Sequence, residues 1–112
     1  MKSIDNLTFG DIAVAKLPYT DGTNTKIRPV LILSRDRNDY LLIKITSIVD
    51  KKESLDIEIS RDNENNLEET SLIKIKKIGT YSKEILLQST GSLSHKDCEL
   101  VRKNLKEFID NL

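Results

Sequence analysis

Apolar residues in this chain recur with a period near two over the first two thirds and a period of three to four at the end. Ile12, Val14 and Leu17, with Ala13 and Ala15 between them, predict a strand over 10–17 that is buried on much of both faces. Val30 to Leu33 is apolar at every position and predicts a central strand. The stretch from Asp36 to Asp39 is polar, so 28–34 and 39–47 are expected to pair as an antiparallel hairpin. Ser54 to Ser60 alternates: Leu55, Ile57 and Ile59 are expected to face in, Asp56 and Glu58 out. Asp62 to Asn66 reads as a polar connection with room for one helical turn. In the strand-like run Ser71 to Ile78, Ile73 and Ile75 are out of phase with Ile78, and a bulge near Lys76 and Lys77 would restore the register.

The period then changes. Cys98, Val101, Leu105, Phe108 and Leu112 form the stripe of an amphipathic helix that starts near His95 and runs close to the end. Ser94 and Asp97 have the spacing of a capping box, with Leu93 and Cys98 as a hydrophobic staple. Short strands followed by one helix predict a mainly β fold with α: a strongly bent antiparallel sheet with the helix packed on it.

Length and charge narrow the picture. The 112 residues are expected to form one domain over 1–112. Lysine plus arginine equals aspartate plus glutamate at 18 each, so any nucleic-acid contact must use a local basic patch. The single cysteine, Cys98, excludes an internal disulfide and a cysteine-based zinc site, and its place on the apolar stripe predicts a buried, inert thiol. The first residues have no apolar core of a signal peptide, and no apolar run reaches the ~20 residues of a membrane span. The expectation is a soluble, cytoplasmic protein without a membrane segment.

Chemistry concentrates between Phe9 and Ser47. A polar loop, 18–27, separates the first strand from Arg28-Pro29, where the chain re-enters the sheet; Thr46-Ser47 ends the following strand. Arg28 keeps its charge at any physiological pH and can hold a phosphate through two parallel hydrogen bonds, while Pro29 restricts its backbone to extended forms. Its alternative is a structural arginine paired with a carboxylate. Thr46 shares a face with Leu42 and Lys44; Leu41, Ile43, Ile45 and Ser47 share the other. A strand threonine is most often there for β-propensity. Lys74, Lys76 and Lys77 read first as a solvated edge that guards against strand pairing, and second as phosphate contacts. His95, alone of its kind, excludes a two-histidine ribonuclease mechanism, and there is no carboxylate cluster suited to two-metal chemistry.

The ordered set GDI, DG, RPVLILS and ITS, followed by an Ile-Lys strand, IGTYSKEIL and GSLS before a final helix, resembles the MazF/PemK toxins of bacterial type II toxin–antitoxin systems over residues 8 to 112. The resemblance implies an SH3-like, partly open antiparallel barrel (CcdB/PemK-like) with its C-terminal helix packed on it. It implies a sequence-specific endoribonuclease that cuts single-stranded RNA without a metal or other cofactor, leaving 2′,3′-cyclic phosphate and 5′-hydroxyl ends and inhibiting growth. It further implies a homodimer neutralised by a cognate antitoxin. Arg28 and Thr46 match the family's catalytic arginine and threonine. Tyr19, Thr20, Asp21 and Lys26 of the loop, with Ser47, are the matching RNA-binding candidates, Tyr19 for stacking.

Two departures stand out. Some members carry a glutamate five residues before the arginine, where this chain has Thr23, and several carry an arginine at the position of Gly79. The competing expectation is therefore a catalytically decayed member, or a non-enzymatic one that binds protein as the gyrase-poisoning relative does through its C-terminal helix.

Overall fold

The computed structural model describes residues 2–18 and 24–112. Six strands, β1 (Asp11–Pro18), β2 (Thr25–Asp36), β3 (Asp39–Thr46), β4 (Ile57–Ile59), β5 (Ser71–Ser82) and β6 (Leu86–Ser92), precede one helix, α1 (His95–Asp110). They form a single sheet in the order β4-β5-β3-β2-β1-β6, every neighbouring pair antiparallel.

The expected hairpin is β2–β3, and its register departs from regularity at Leu33, which is looped out between the Ile32–Leu42 and Ser34–Leu41 pairs. Alternation sends the two faces of these strands into two cores. Ile12, Leu31, Ile43 and Ile45 join Ile57, Ile59, Ile73, Ile75 and Val101 in one. Ala13, Ala15, Leu17, Val30, Ile32, Tyr40 and Leu42 build the other. A flat sheet has no need of two buried faces; this one bends until its ends meet. The Ser92 N–H donates to Glu64 O at 2.9 Å, and Asn66 Nδ2 donates to Thr90 O at 2.8 Å, tying β6 to the turn between β4 and β5. Those contacts make the sheet a partly open barrel. Gly91 lets the segments approach: a Cβ there would lie 2.5 Å from Glu64 O.

Several expectations hold with corrections. β5 loses its register with β3 across Lys74–Lys77, where the jump from the Ile45–Ile73 pair to Ile43–Ile78 loops out the basic run. The strand expected over 54–60 shortens to Ile57–Ile59 because Leu55 takes a left-handed conformation (φ 72°). That conformation breaks the alternation and is costly for a branched side chain. Asp56, expected to face solvent, is buried instead. The Asp62–Asn66 connection is a turn rather than a helix: Asp62 Oδ1 accepts from the N–H groups of Glu64 and Asn65, and Oδ1 of buried Asn65 accepts from the Asp62 N–H.

α1 begins at His95 as expected, with Ser94 Oγ accepting from Asp97 N at 3.1 Å. Val101 is fully buried, and Cys98, Leu105 and Phe108 pack on the first core. Cys98 is only half-buried, and desolvation raises its thiol pKa, which disfavours the reactive thiolate. Leu112 lies beyond the helix and is exposed, so the stripe ends at Phe108. Among the described residues no helix is long and apolar enough to cross a membrane.

Candidate active site

Arg28 lies on β2 between β1 and β3, half-buried and across from Ala15. The β2–β3 register pairs Val30 with Lys44; carried two residues further, it sets Arg28 across from Thr46. Side chains directly across an antiparallel pair stand on the same face. Lys26 faces Leu17 on that same face of β2. The strand face that builds the second core thus continues beyond it as Lys26, Arg28, Lys44 and Thr46.

These residues open into a groove of about 610 Å³. Lys51, Lys74 and Lys77 complete its cations, Glu53 is its one carboxylate, and Leu17, Pro18, Ile45 and Ile48 give it apolar ground. A chain of zero net charge therefore concentrates six basic side chains against one acidic one along a single concave surface. Low-dielectric walls focus the resulting field, which favours a polyanion with apolar faces between its charges.

No ion pair holds Arg28 among the described residues. Its Nη1 donates to the neighbouring Ile27 O at 3.0 Å, and no described carboxylate takes its remaining N–H groups. Among the described residues, the structural-arginine alternative thus finds no carboxylate partner. Thr46 Oγ1 accepts from Ile48 N at 3.2 Å, which fixes the side chain and leaves its hydroxyl hydrogen to donate elsewhere.

Lys74 behaves differently from a solvated edge lysine. Its ammonium donates to Asp56 Oδ2 at 2.5 Å and Glu53 Oε1 at 2.8 Å. Desolvation alone would lower the Lys74 pKa, but hydrogen bonds to Asp56 and Glu53 outweigh it and raise the value. The hydrogen bond and charge of Lys74 hold the Glu53 carboxyl below its ordinary range. Lys76 reaches Ser54 Oγ at 2.9 Å. These lysines pin the 53–56 turn, and with it the groove wall. β4 pairs only with Ser71–Ile73 of β5, so the exposed Lys76 and Lys77 do lie where β5 has no outer neighbour.

Residues 8–109 match the model of the PemK-like, MazF-like toxin family of type II toxin–antitoxin systems. The chain belongs to that family. Its fold recurs in the Mycobacterium tuberculosis toxin MazF-mt6, which is 23% identical with a TM-score of 0.71 over 89% of this chain and 96% of that one. It recurs too in an endoribonuclease in complex with its cognate antitoxin from a mycobacterial species. That structure is 15% identical, with a TM-score of 0.72 over 94% of this chain and 96% of the other. No curated protein matches the chain in sequence.

Of the candidates for this PemK-like chain, Arg28, Thr46 and Lys26 line the groove together. Ser47 does not: the next residue along the strand points the other way, into a smaller hollow of about 300 Å³ with Pro29, Glu68, Glu69 and Thr90. Arg28 borders both hollows. Tyr19, Thr20 and Asp21 lie outside the described residues, as does Thr23. Gly79 sits across from Leu42, away from the groove lining, and a Cβ there would lie 2.8 Å from the Tyr81 ring. His95 is exposed at the start of α1. Lys44, Lys51 and Glu53 were not singled out by the sequence. For Lys44 a signal existed: a lysine at an inward-facing strand position on the face of Thr46.

Proposed function

We propose that this toxin is a sequence-specific endoribonuclease that cleaves single-stranded RNA, and that Arg28 and Thr46 carry the reaction. The supporting observation is their juxtaposition on one face of β2 and β3 at the floor of a cationic groove. The ribose 2′-oxygen attacks the adjacent phosphorus, giving a 2′,3′-cyclic phosphate and a 5′-hydroxyl end. Negative charge grows on the non-bridging oxygens as the phosphorane forms. Arg28, whose N–H groups no described carboxylate takes, binds those oxygens; Thr46 donates its hydroxyl hydrogen to one of them. Arginine does not give up its proton in proteins, so its part is electrostatic.

Lys26, Lys51 and Lys77 of the groove carry the flanking phosphates, and Tyr19, Thr20 and Asp21, between β1 and β2, read the unpaired bases. No step passes through a metal or cofactor. The toxin works in the cytoplasm as a homodimer and inhibits growth. A cognate antitoxin neutralises it by laying an acidic segment along the same groove, in keeping with the cation excess there.

The test is cleavage of a long single-stranded RNA in the presence of EDTA, with end-group analysis, by wild type, Arg28→Ala and Thr46→Ala. Discrete fragments with 5′-hydroxyl ends from wild type, lost in Arg28→Ala and reduced in Thr46→Ala, are expected. Full activity in a folded Arg28→Ala protein refutes the mechanism, and wild-type inactivity across several RNAs returns the chain to a binding or decayed role.

A further inference from the structure

Lys44 is the groove lysine that shares the strand face of Arg28 and Thr46 at the site of cleavage. It stands half-buried on β3, on the face of Thr46 and across from Val30. On its other side β5 has swung away over Lys74–Lys77, so Lys44 has no cross-strand neighbour there and borders the groove. No ion pair or hydrogen bond joins its ammonium to another described residue. Lys74 nearby, in contrast, is claimed by two carboxylates. With no described carboxylate to pair with, the Lys44 ammonium is available to an anion that enters the groove.

The position suits one gap in the chemistry. Arg28 and Lys44 are diagonal neighbours across β2 and β3, a separation of about 7–8 Å between strand positions. A phosphate held by Arg28 and Thr46 therefore comes within reach of the Lys44 side chain. The departing 5′-oxygen needs a proton, which a guanidinium does not release and an ammonium does.

We propose that Lys44 is the general acid of the cleavage, an inference that rests on the ribonuclease reading above. The 2′-oxygen forms the new bond to phosphorus and its proton passes to water. The bond from phosphorus to the 5′-oxygen breaks, its electron pair stays on that oxygen, and the Lys44 ammonium gives it a proton. Water then returns a proton to the neutral amine, so the cycle closes with no other reactant.

A substrate whose 5′-bridging oxygen is replaced by sulfur isolates this step, because a thiolate leaves without protonation. Single-turnover cleavage of matched 5′-oxygen and 5′-thio RNAs is compared for wild type, Lys44→Met and Lys44→Arg, with thermal melts to verify folding. Lys44→Met is expected to slow the oxygen substrate by about 10²-fold or more while cutting the thio substrate at the wild-type rate. Lys44→Arg keeps the charge but not the transferable proton, and is expected to show the same split. Equal slowing on both substrates makes Lys44 a phosphate ligand and overturns the proposal, as does no slowing on either. Wild-type inactivity on the oxygen RNA overturns the ribonuclease reading and this step together; the other outcomes touch this step alone.

Discussion

Removing the Asp56 carboxylate tests whether the groove wall is held by a buried charge. The Asp56 side chain is 1% exposed and that of Lys74 12%, so neither charge is well hydrated. In Asp56→Ala the Lys74 ammonium keeps only Glu53, whose side chain is 60% exposed, and Glu53 N loses the oxygen it donates to at 2.8 Å. Breaking a buried pair from one side costs about 3–5 kcal/mol, and the surviving Glu53 contact sets this case near the lower limit, about 3 kcal/mol. For a chain of 112 residues that lowers the melting temperature by roughly 13 °C. Urea unfolding followed by circular dichroism measures it. A double variant, Asp56→Leu with Lys74→Met, removes both charges and should recover most of the loss. A loss under about 1 kcal/mol in Asp56→Ala, or a double variant as unstable as the two singles added, would show that the pair is a solvated contact and refute the reasoning.

The same network predicts a pH dependence. Glu53 is depressed below its ordinary 4.5, so its contribution is present above that pH and is lost as pH falls through the depressed value. Lys74 is raised above 10.5, so its contribution is full below that pH and is lost as pH rises through the raised value. The gap in urea midpoint between wild type and Lys74→Met should be widest between those limits; an equal gap at pH 3 and pH 7 would count against the pairing. Tyr40, fully buried, donates its hydroxyl to Ile4 O and accepts from Leu7 N at 3.2 Å, so Tyr40→Phe should cost about 2 kcal/mol and speed amide exchange at Leu7. Gly91→Ala would drive a Cβ against the Glu64 and Asn65 carbonyls and should destabilise by about 1–3 kcal/mol. An unchanged melting temperature there would mean that β6 and the 62–66 turn do not meet.

Local periodicity was enough for the elements, because alternation and the three-to-four spacing are properties of consecutive residues. It located β1, the β2–β3 hairpin, the looped-out basic run of β5 and the start of α1. It also set Lys44 and Thr46 on one face. The exceptions are positions where the backbone left its regular conformation. Leu55 at positive φ turned Asp56 inward, and no pattern in SLDIEIS marks it. The ordered motifs from Gly10 to Ser47 carried the family, since they are read along the chain.

What the sequence by itself determined, then, is which residues share a strand face and which family they belong to. Only the tertiary structure decided which faces meet. Arg28 and Thr46 are 18 residues apart, and the register of β2 on β3 brings them together. Lys74 and Asp56 are likewise 18 apart, and their pairing depends on β4 lying beside β5. A net charge of zero says nothing about where the charges lie; the bend of the sheet gathers six cations into one groove and, of the described carboxylates, brings only Glu53 into its lining. Burial and electrostatic focusing depend on distances through space, and those exist only once the sheet has closed.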